Sequence, residues 1–238
     1  MDERPDWYQR WVAGRQRLIE RALDEVPYAR DGVLLDVAAG DAGYSRLVAE
    51  HTGTRLVAQD FSETECAAVR RSGAATVRGD VRRLGFADAC ADVTVAFEIV
   101  EHLSKRDATA MFEELHRVTK PGGTLLLSTP NRYAIESFKG LAHYLRDGTV
   151  WNARDETHIR LYSRRELLKA LRPYFDVRRT YGYYLLEAGE RALPFSHTVT
   201  TNPLLSNLCF ILCVVATPRA LVGAKAALGR PRELALQR

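Results

Sequence analysis

The chain has 238 residues, 46% of them hydrophobic, which is enough to bury one large core, and a single α/β domain is the default at this length. Its 34 basic and 30 acidic residues leave a net charge of +4, too balanced to make nucleic acid an obligate partner, and none is expected. Cys66, Cys90, Cys209 and Cys213 form no CxxC pair or recognised metal-ligand spacing, so no metal is expected, and the thiols read as reduced in a cytoplasmic protein.

The charged opening Met1-Asp2-Glu3-Arg4-Pro5 lacks an apolar core and predicts no signal peptide. Over residues 6–26, Trp7, Tyr8, Trp11, Val12, Leu18, Ile19, Ala22, Leu23 and Val26 recur at helical spacing. This amphipathic helix either packs on a sheet edge or brings Tyr8 or Trp11 over a ligand as a lid. Val33-Leu34-Leu35-Asp36-Val37 then reads as a buried strand, with Ala38-Ala39-Gly40-Asp41-Ala42-Gly43 turning tightly into a helix over residues 44–50. Small side chains there let a ligand touch backbone, and Gly40 and Gly43 permit positive φ. Ala38-x-Gly40-x-x-Gly43 is one substitution from the dinucleotide fingerprint. Asp36 and Asp41, however, would repel a pyrophosphate by on the order of several kcal/mol where solvent is partly excluded. A cationic ligand is favoured.

Residues 55–59 form a second strand ended by Asp60-Phe61, and an acid about 20 residues beyond a glycine-rich turn is placed to accept both ribose hydroxyls. Ser62-Glu63-Thr64-Glu65 has capping-box spacing and opens the next helix. A short strand over residues 75–78 leads into Gly79-Asp80-Val81, where Asp80 either faces a ligand or bonds its own turn. The fourth strand, residues 91–97, is followed by Glu98-Ile99-Val100-Glu101-His102-Leu103. A helix over residues 106–118 is broken by Lys120-Pro121-Gly122-Gly123, and residues 124–129 form a fifth strand.

The strand-end Asp36 with its small-residue turn resembles the first motif of the class I S-adenosylmethionine-dependent methyltransferases, Asp-x-Gly-x-Gly-x-Gly, with Ala38 at the first glycine and Ala42 at the third. Phe97-Glu98-x-x-Glu101-His102-Leu103 is similar to the small-molecule branch that includes the quinone-biosynthesis O-methyltransferases. The resemblance covers residues 30–216. It implies a Rossmann-like, three-layer α/β sandwich whose doubly wound, mostly parallel sheet has seven strands, the last antiparallel. It further implies S-adenosyl-L-methionine as cofactor, S-adenosyl-L-homocysteine as product, and methyl transfer to an oxygen or nitrogen of a small polar acceptor such as a sugar, nucleoside or phenolic natural product. Cofactor contacts would come from Asp36 on the ammonium, Ala38 and Gly40 along the turn, Asp60 and Phe61 at the ribose, Asp80 and Val81 at the adenine, and Phe97 and Glu98 near the methyl group. Glu101, His102 and His158 are the candidate catalytic residues, with His102 and His158 as bases because histidine titrates near neutrality. A nicotinamide-dependent oxidoreductase and a non-catalytic S-adenosylmethionine-binding protein are the competing readings.

Residues 131–162 interleave Tyr133, Phe138, His143, Tyr144, Trp151, His158 and Tyr162 with arginines, including Arg154 and Arg160, and suit an acceptor site or a solvated insertion. Ser163-Arg164-Arg165-Glu166 is a second capping-box sequence, ahead of Leu167, Leu168 and Leu171. Residues 175–184 and 210–216 read as an antiparallel strand pair, and residues 185–207, with Phe195 and His197, as another pocket wall. The apolar run near residues 204–216, interrupted by Ser206 and Asn207, is shorter than the ~20 residues of a spanning helix. The tail over residues 217–238 is basic and reads as a solvated terminal helix in preference to a membrane-surface contact. The expected layout is one domain, with a helical lid over 1–29, a cofactor-binding core over 30–130, acceptor-site insertions at 131–162 and 185–207, and the basic tail. The sequence leaves the acceptor and the oligomeric state open.

Overall fold

Neighbouring residues of a strand point to opposite faces, and in the central strands of this chain both neighbours are apolar. Leu34, Val95, Leu126 and Val215 join one core, while Leu35, Val37, Leu125, Leu127 and Val214 join another. A sheet buried on both faces must be covered by helices on each. The computed structural model describes residues 6–24, 31–134, 157–183, 187–188, 191–192 and 199–220.

Among the described residues ten strands appear in chain order: β1 (Val33–Val37), β2 (Arg55–Asp60), β3 (Ala75–Arg78), β4 (Ala91–Phe97), β5 (Thr119–Pro130), β6 (Phe175–Tyr183), β7 (Glu187–Ala188), β8 (Arg191–Ala192), β9 (Val199–Thr200) and β10 (Ile211–Pro218). Eight form one sheet in the order β3-β2-β1-β4-β5-β10-β6-β9, and β7 and β8 pair antiparallel in a separate two-stranded sheet. The strands from β1 to β5 run parallel, and β10 is antiparallel to both β5 and β6. The antiparallel pair is where the sequence puts it. The eighth strand corrects the expected seven: β9 adds two residues at the edge, Thr200 opposite Gly182 and Val199 opposite Tyr183.

Helices α1 (Asp6–Asp24) and α2 (Gly43–Thr52) cover one face, through Leu18, Ile19, Ala22, Leu23 and Val48. On this part of the sheet α3 (Glu63–Arg71) packs Val69 against Ala42 and Ala58. The other face is covered by α4 (Lys105–Val118), with Met111, Phe112, Leu115 and Val118, and by α5 (Arg164–Leu171), with Leu167 and Leu171. A short α6 (Pro203–Ser206) precedes β10.

Ser163 and Glu166 form the full reciprocal capping box at α5. At α3 only half of it is present: Ser62 Oγ accepts from the Glu65 N–H at 3.3 Å, while the Ser62 N–H is taken by Asp60 instead of Glu65. The helix α4 ends at Val118 ahead of Lys120-Pro121-Gly122-Gly123, as expected, but these residues already lie inside β5, which begins at Thr119 rather than Thr124. The register jumps from Ala91↔Thr119 to Val93↔Thr124, a bulge that absorbs the four residues. Gly122 takes φ of 79°, and a Cβ on Gly123 would stand 2.9 Å from the Asp92 carbonyl oxygen.

The lid reading of the first helix rests on Tyr8 and Trp11, whose side chains lie outside the described residues. So do the whole of 135–156, with Phe138, His143, Tyr144, Trp151 and Arg154, the positions of Phe195 and His197, and the tail beyond 220. The described half of α1 is seated tightly: the Tyr181 hydroxyl donates to the Arg21 carbonyl at 3.2 Å, and Gly14 lies over Tyr183. A Cβ at Gly14 would fall 1.8 Å from the fully buried Tyr183 hydroxyl oxygen, so the helix can approach this strand only with glycine there. Gly14→Ala is therefore expected to destabilise the fold by about 1–3 kcal/mol, the usual cost of overpacking, as read from the urea midpoint. An unchanged midpoint would mean that α1 is not held against β6.

Candidate functional site

The chain winds β1 to β2 to β3 in one direction and returns through β4 to β5 in the other, so its switch point lies between β1 and β4. In such sheets the ligand crevice opens outside the carboxyl ends of the strands at that point. Asp36 and its turn, Asp60, Asp80, Glu98 and Asn131 all fall at these strand ends.

The turn after β1 has positive φ at three alternate residues, Ala38 at 60°, Gly40 at 52° and Ala42 at 56°. Gly43, read from the sequence as a positive-φ position, instead begins α2. Two alanines thus hold a left-handed backbone at a cost of about 1–2 kcal/mol each. Hydrogen bonds from the end of β2 fix the path from Ala38 to Gly40, and the Ala42 N–H donates within the turn to the Ala39 carbonyl at 2.8 Å. The Ala38 N–H donates to Gln59 Oε1 at 3.3 Å, the Ala39 N–H to the Gln59 carbonyl at 3.0 Å, and the Gly40 N–H to Asp60 Oδ2 at 2.9 Å. Gln59 Nε2 in turn donates to the Gly79 carbonyl, which ties the third strand end to the first two. Space above Gly40 is open, with no heavy atom within 4 Å of where its Cβ would be.

Asp60 is fixed on both carboxylate oxygens by backbone, Gly40 N–H on one and Ser62 N–H at 2.8 Å on the other. Beside it Phe61 is exposed, with the Arg78 guanidinium 5.9 Å from its ring centre. Asp36 lies beneath the turn, 2% exposed, with the Ser45 hydroxyl donating to it. Burial pushes its carboxyl up to about 7, and the nearby Asp60 and Asp41 push the same way, against the Ser45 hydrogen bond. Asp80 bonds its own turn: it accepts from the Arg82 N–H at 2.8 Å and from the Arg82 guanidinium at 2.6 Å, which holds its carboxyl below the usual range. Val81 is buried in the α4 core.

At the end of β4, Phe97 packs into the α1 core, and Glu98 takes φ of 52°. Its carboxylate accepts from the Ser128 hydroxyl and, at 3.3 Å, from Arg15. Arg15 also sits 4.4 Å over the Tyr44 ring. Glu101, in the 3₁₀ turn Val100–His102, has no exposed surface; Thr129 Oγ1 donates to one oxygen at 2.9 Å, and the other has no hydrogen-bond partner. Burial, then the charge of Glu98, lifts its carboxyl to about 8. His102 Nδ1 lies 3.1 Å from the Thr157 carbonyl, and the His102 and His158 rings meet edge to face at 5.0 Å. The Arg160 N–H donates to the Glu101 carbonyl at 2.9 Å, fixing the returning segment beside the turn. Its guanidinium lies 4.9 Å over Tyr162. The structure thus gathers Asp36, Asp60 and the turn into one group and Glu101, His102 and His158 into a second. A cavity of about 550 Å³ lined by Tyr133, Ser163, Arg165, Glu166, Lys169, Asn207 and Leu208 includes none of them.

Sequence reasoning missed Arg15, Gln59, Ser45, Ser128 and Thr129. Arg15 had a signal: with Leu18, Ile19 and Ala22 it occupies the i, i+3, i+4, i+7 face, so a cation falls on the buried stripe.

Residues 35–127 match the family model described as a methyltransferase domain. A protein of Mycolicibacterium smegmatis named a probable S-adenosylmethionine-dependent methyltransferase is 34% identical over 128 residues, covering 53% of this chain and 46% of its own length. A demethylmenaquinone methyltransferase of a Mycobacterium species is 40% identical over 108 residues, covering 42% of this chain and 44% of its own. The chain thus spans about half the length of these two relatives. The crystal structure of an S-adenosylmethionine-dependent methyltransferase of Thermotoga maritima superposes with a TM-score of 0.62 over 90% of this chain and 96% of its own at 16% identity, a likeness of fold.

The raised carboxyls set a sign for stability against pH. The unfolded chain releases the Asp36 proton near 3.8 and the folded chain near 7, so between those values the folded state holds the extra proton and stability falls as pH rises. Glu101 extends the fall to about pH 8. Tm is expected to drop from pH 5 to pH 8, and Asp36→Asn to flatten the drop; an identical drop in the variant would show that Asp36 is ionised in the fold.

Proposed function

We propose that this chain, whose residues 35–127 match the methyltransferase-domain family model, is an S-adenosylmethionine-dependent methyltransferase that transfers a methyl group from S-adenosyl-L-methionine to an oxygen or nitrogen of a small polar acceptor. The observation that carries the reading is Asp60, a strand-end carboxylate fixed by two backbone N–H groups and facing a left-handed turn with open space over Gly40. That is the arrangement a ribose diol needs: a rigid carboxylate beside backbone that a ligand can approach. Three carboxylates, Asp36, Asp41 and Asp60, bear on the same turn, and a cationic ligand compensates what a pyrophosphate would aggravate. This disfavours the nicotinamide reading.

The chemistry of the donor set fits S-adenosyl-L-methionine. Asp36 and the turn from Ala38 to Gly40 would hold its amino-acid end, Asp60 and Phe61 its ribose, and Asp80 and Val81 its adenine, with Phe97 and Glu98 at the inner wall. When bound, it supplies a methyl group on a sulfonium, already a good leaving group. What the protein must add is orientation, for which proximity can supply about 7–11 kcal/mol. Arg15 and Ser128 hold Glu98, and Thr129 holds Glu101, so the side chains next to the crevice are braced before any ligand arrives. Where the acceptor must lose a proton, His102 and His158 would be the bases in the absence of a bound metal ion, worth about 10²–10⁴ in rate.

Among acceptors, a phenol or quinol is preferred: the relatives named demethylmenaquinone methyltransferases support an acceptor of the quinone class. The free thiols of the four cysteines support a cytoplasmic setting. No described helix is long and apolar enough to cross a membrane.

The test is transfer of labelled methyl from S-adenosyl-L-methionine to a panel of quinols, phenols, nucleosides and sugars. Asp60→Ala is expected to raise the KM for S-adenosyl-L-methionine by the equivalent of about 1–3 kcal/mol, the cost of leaving ribose hydroxyls without a charged partner, with the fold intact by circular dichroism. An unchanged KM in a folded variant, with turnover retained, would place the ribose elsewhere.

A further inference from the structure

We propose that Glu101, His102 and His158 bind a divalent metal ion of the first transition row, such as zinc or cobalt. One ligand atom from each of the three lies within 4.8 Å of the others, although His158 comes from a segment remote in sequence. An ion with bonds of about 2.0–2.2 Å places tetrahedral ligand atoms about 3.4 Å apart, so small side-chain rotations close the set. Two imidazoles and one carboxylate are the donors this series prefers, where magnesium and calcium prefer oxygen.

Two further features point to a ligand at this place. One oxygen of Glu101 is completely buried yet has no hydrogen-bond partner, an arrangement that costs about 1–3 kcal/mol unless something occupies that lone pair. The Thr157 carbonyl can only accept, so His102 donates to it from Nδ1, which leaves Nε2 with its lone pair available. Metal-binding histidines are oriented in this way by a carbonyl or carboxylate on the other nitrogen. The Arg160 N–H fixes the Glu101 carbonyl, which locks the His158 segment to the turn bearing the other two groups. Nearby, the Glu98 charge adds to the negative field. Three protein ligands leave a position open, as in metal sites that bind substrate.

Resting on the methyltransferase reading, the open position would take the acceptor hydroxyl. With both imidazoles committed to the ion, they no longer serve as bases: the ion withdraws electron density from the bound oxygen, its proton passes to solvent, and the oxygen lone pair forms the new bond to the methyl carbon while the sulfur–methyl electron pair returns to sulfur. No oxidant or reductant is involved.

The whole chain, stripped with a chelator, should take up one equivalent of Co²⁺ with the visible absorption of an imidazole-bound ion, and Zn²⁺ should displace it. Each of His102→Ala and His158→Ala should weaken Co²⁺ binding tenfold or more. Glu101→Gln, which keeps the buried shape, covers the case in which a histidine variant does not fold, and should weaken binding equally. No stoichiometric uptake, or uptake unaffected in the folded variants, overturns the proposal. S-adenosyl-L-homocysteine binding measured on the same stripped sample separates the two readings: Co²⁺ uptake without it keeps the metal site and removes the methyl transfer, and the reverse keeps the methyl transfer alone.

Discussion

Three carboxylates share one turn, and the crevice around them is organised by that repulsion. Asp36 lies under the backbone, Asp41 within it and Asp60 across from it, with burial and mutual charge lifting the Asp36 carboxyl to about 7. A fold keeps such a group only if the site requires it, because an apolar residue under the turn would pack without the desolvation cost. The local answer is the Ser45 hydroxyl; the functional answer we propose is a ligand that brings positive charge. The bond that holds one oxygen of Asp60 also holds Gly40 in left-handed backbone, beside the Gln59 bond to Ala38, so electrostatics and turn geometry are one device.

A second device stands across the switch point, at the ends of β4 and β5. Glu98, in left-handed backbone itself, is held by Ser128 from the neighbouring strand and by Arg15 from the first helix. Strain of this kind persists where surrounding bonds over-determine it, and it clusters at functional sites. Through Arg15 the seating of α1 bears on the crevice, so that the close packing of Gly14 on Tyr183 contributes to the site as well as to the core.

Much of this was legible in the sequence, for identifiable reasons. Asp60 could be found because an apolar strand ends on an acid at a set distance from a small-residue turn, and local pattern and geometry agree there. The left-handed path at Ala38 and Ala42 was hidden, because alanine disfavours it and the hydrogen bonds that fix the turn from Ala38 to Gly40 come from Gln59 and Asp60, on another strand. Pro121-Gly122-Gly123 read as the break after a helix, and their place in a bulge inside β5 was hidden because a bulge uses the same residues as a terminus. The eighth strand is two residues long, too short for any periodicity. Glu101, His102 and His158 were each suspected, but their meeting depends on the Arg160 bond to the Glu101 carbonyl, a tertiary contact with no local signature.

The central claim is that the acidic turn selects a cationic nucleoside over a pyrophosphate-bearing one. Calorimetric titration of the chain at pH 8 with S-adenosyl-L-methionine and, separately, with NAD tests it most directly. The account predicts one-to-one binding of S-adenosyl-L-methionine, weakened in Asp36→Asn, and no heat from NAD. Binding of NAD, with S-adenosyl-L-methionine silent at millimolar concentration, would contradict it.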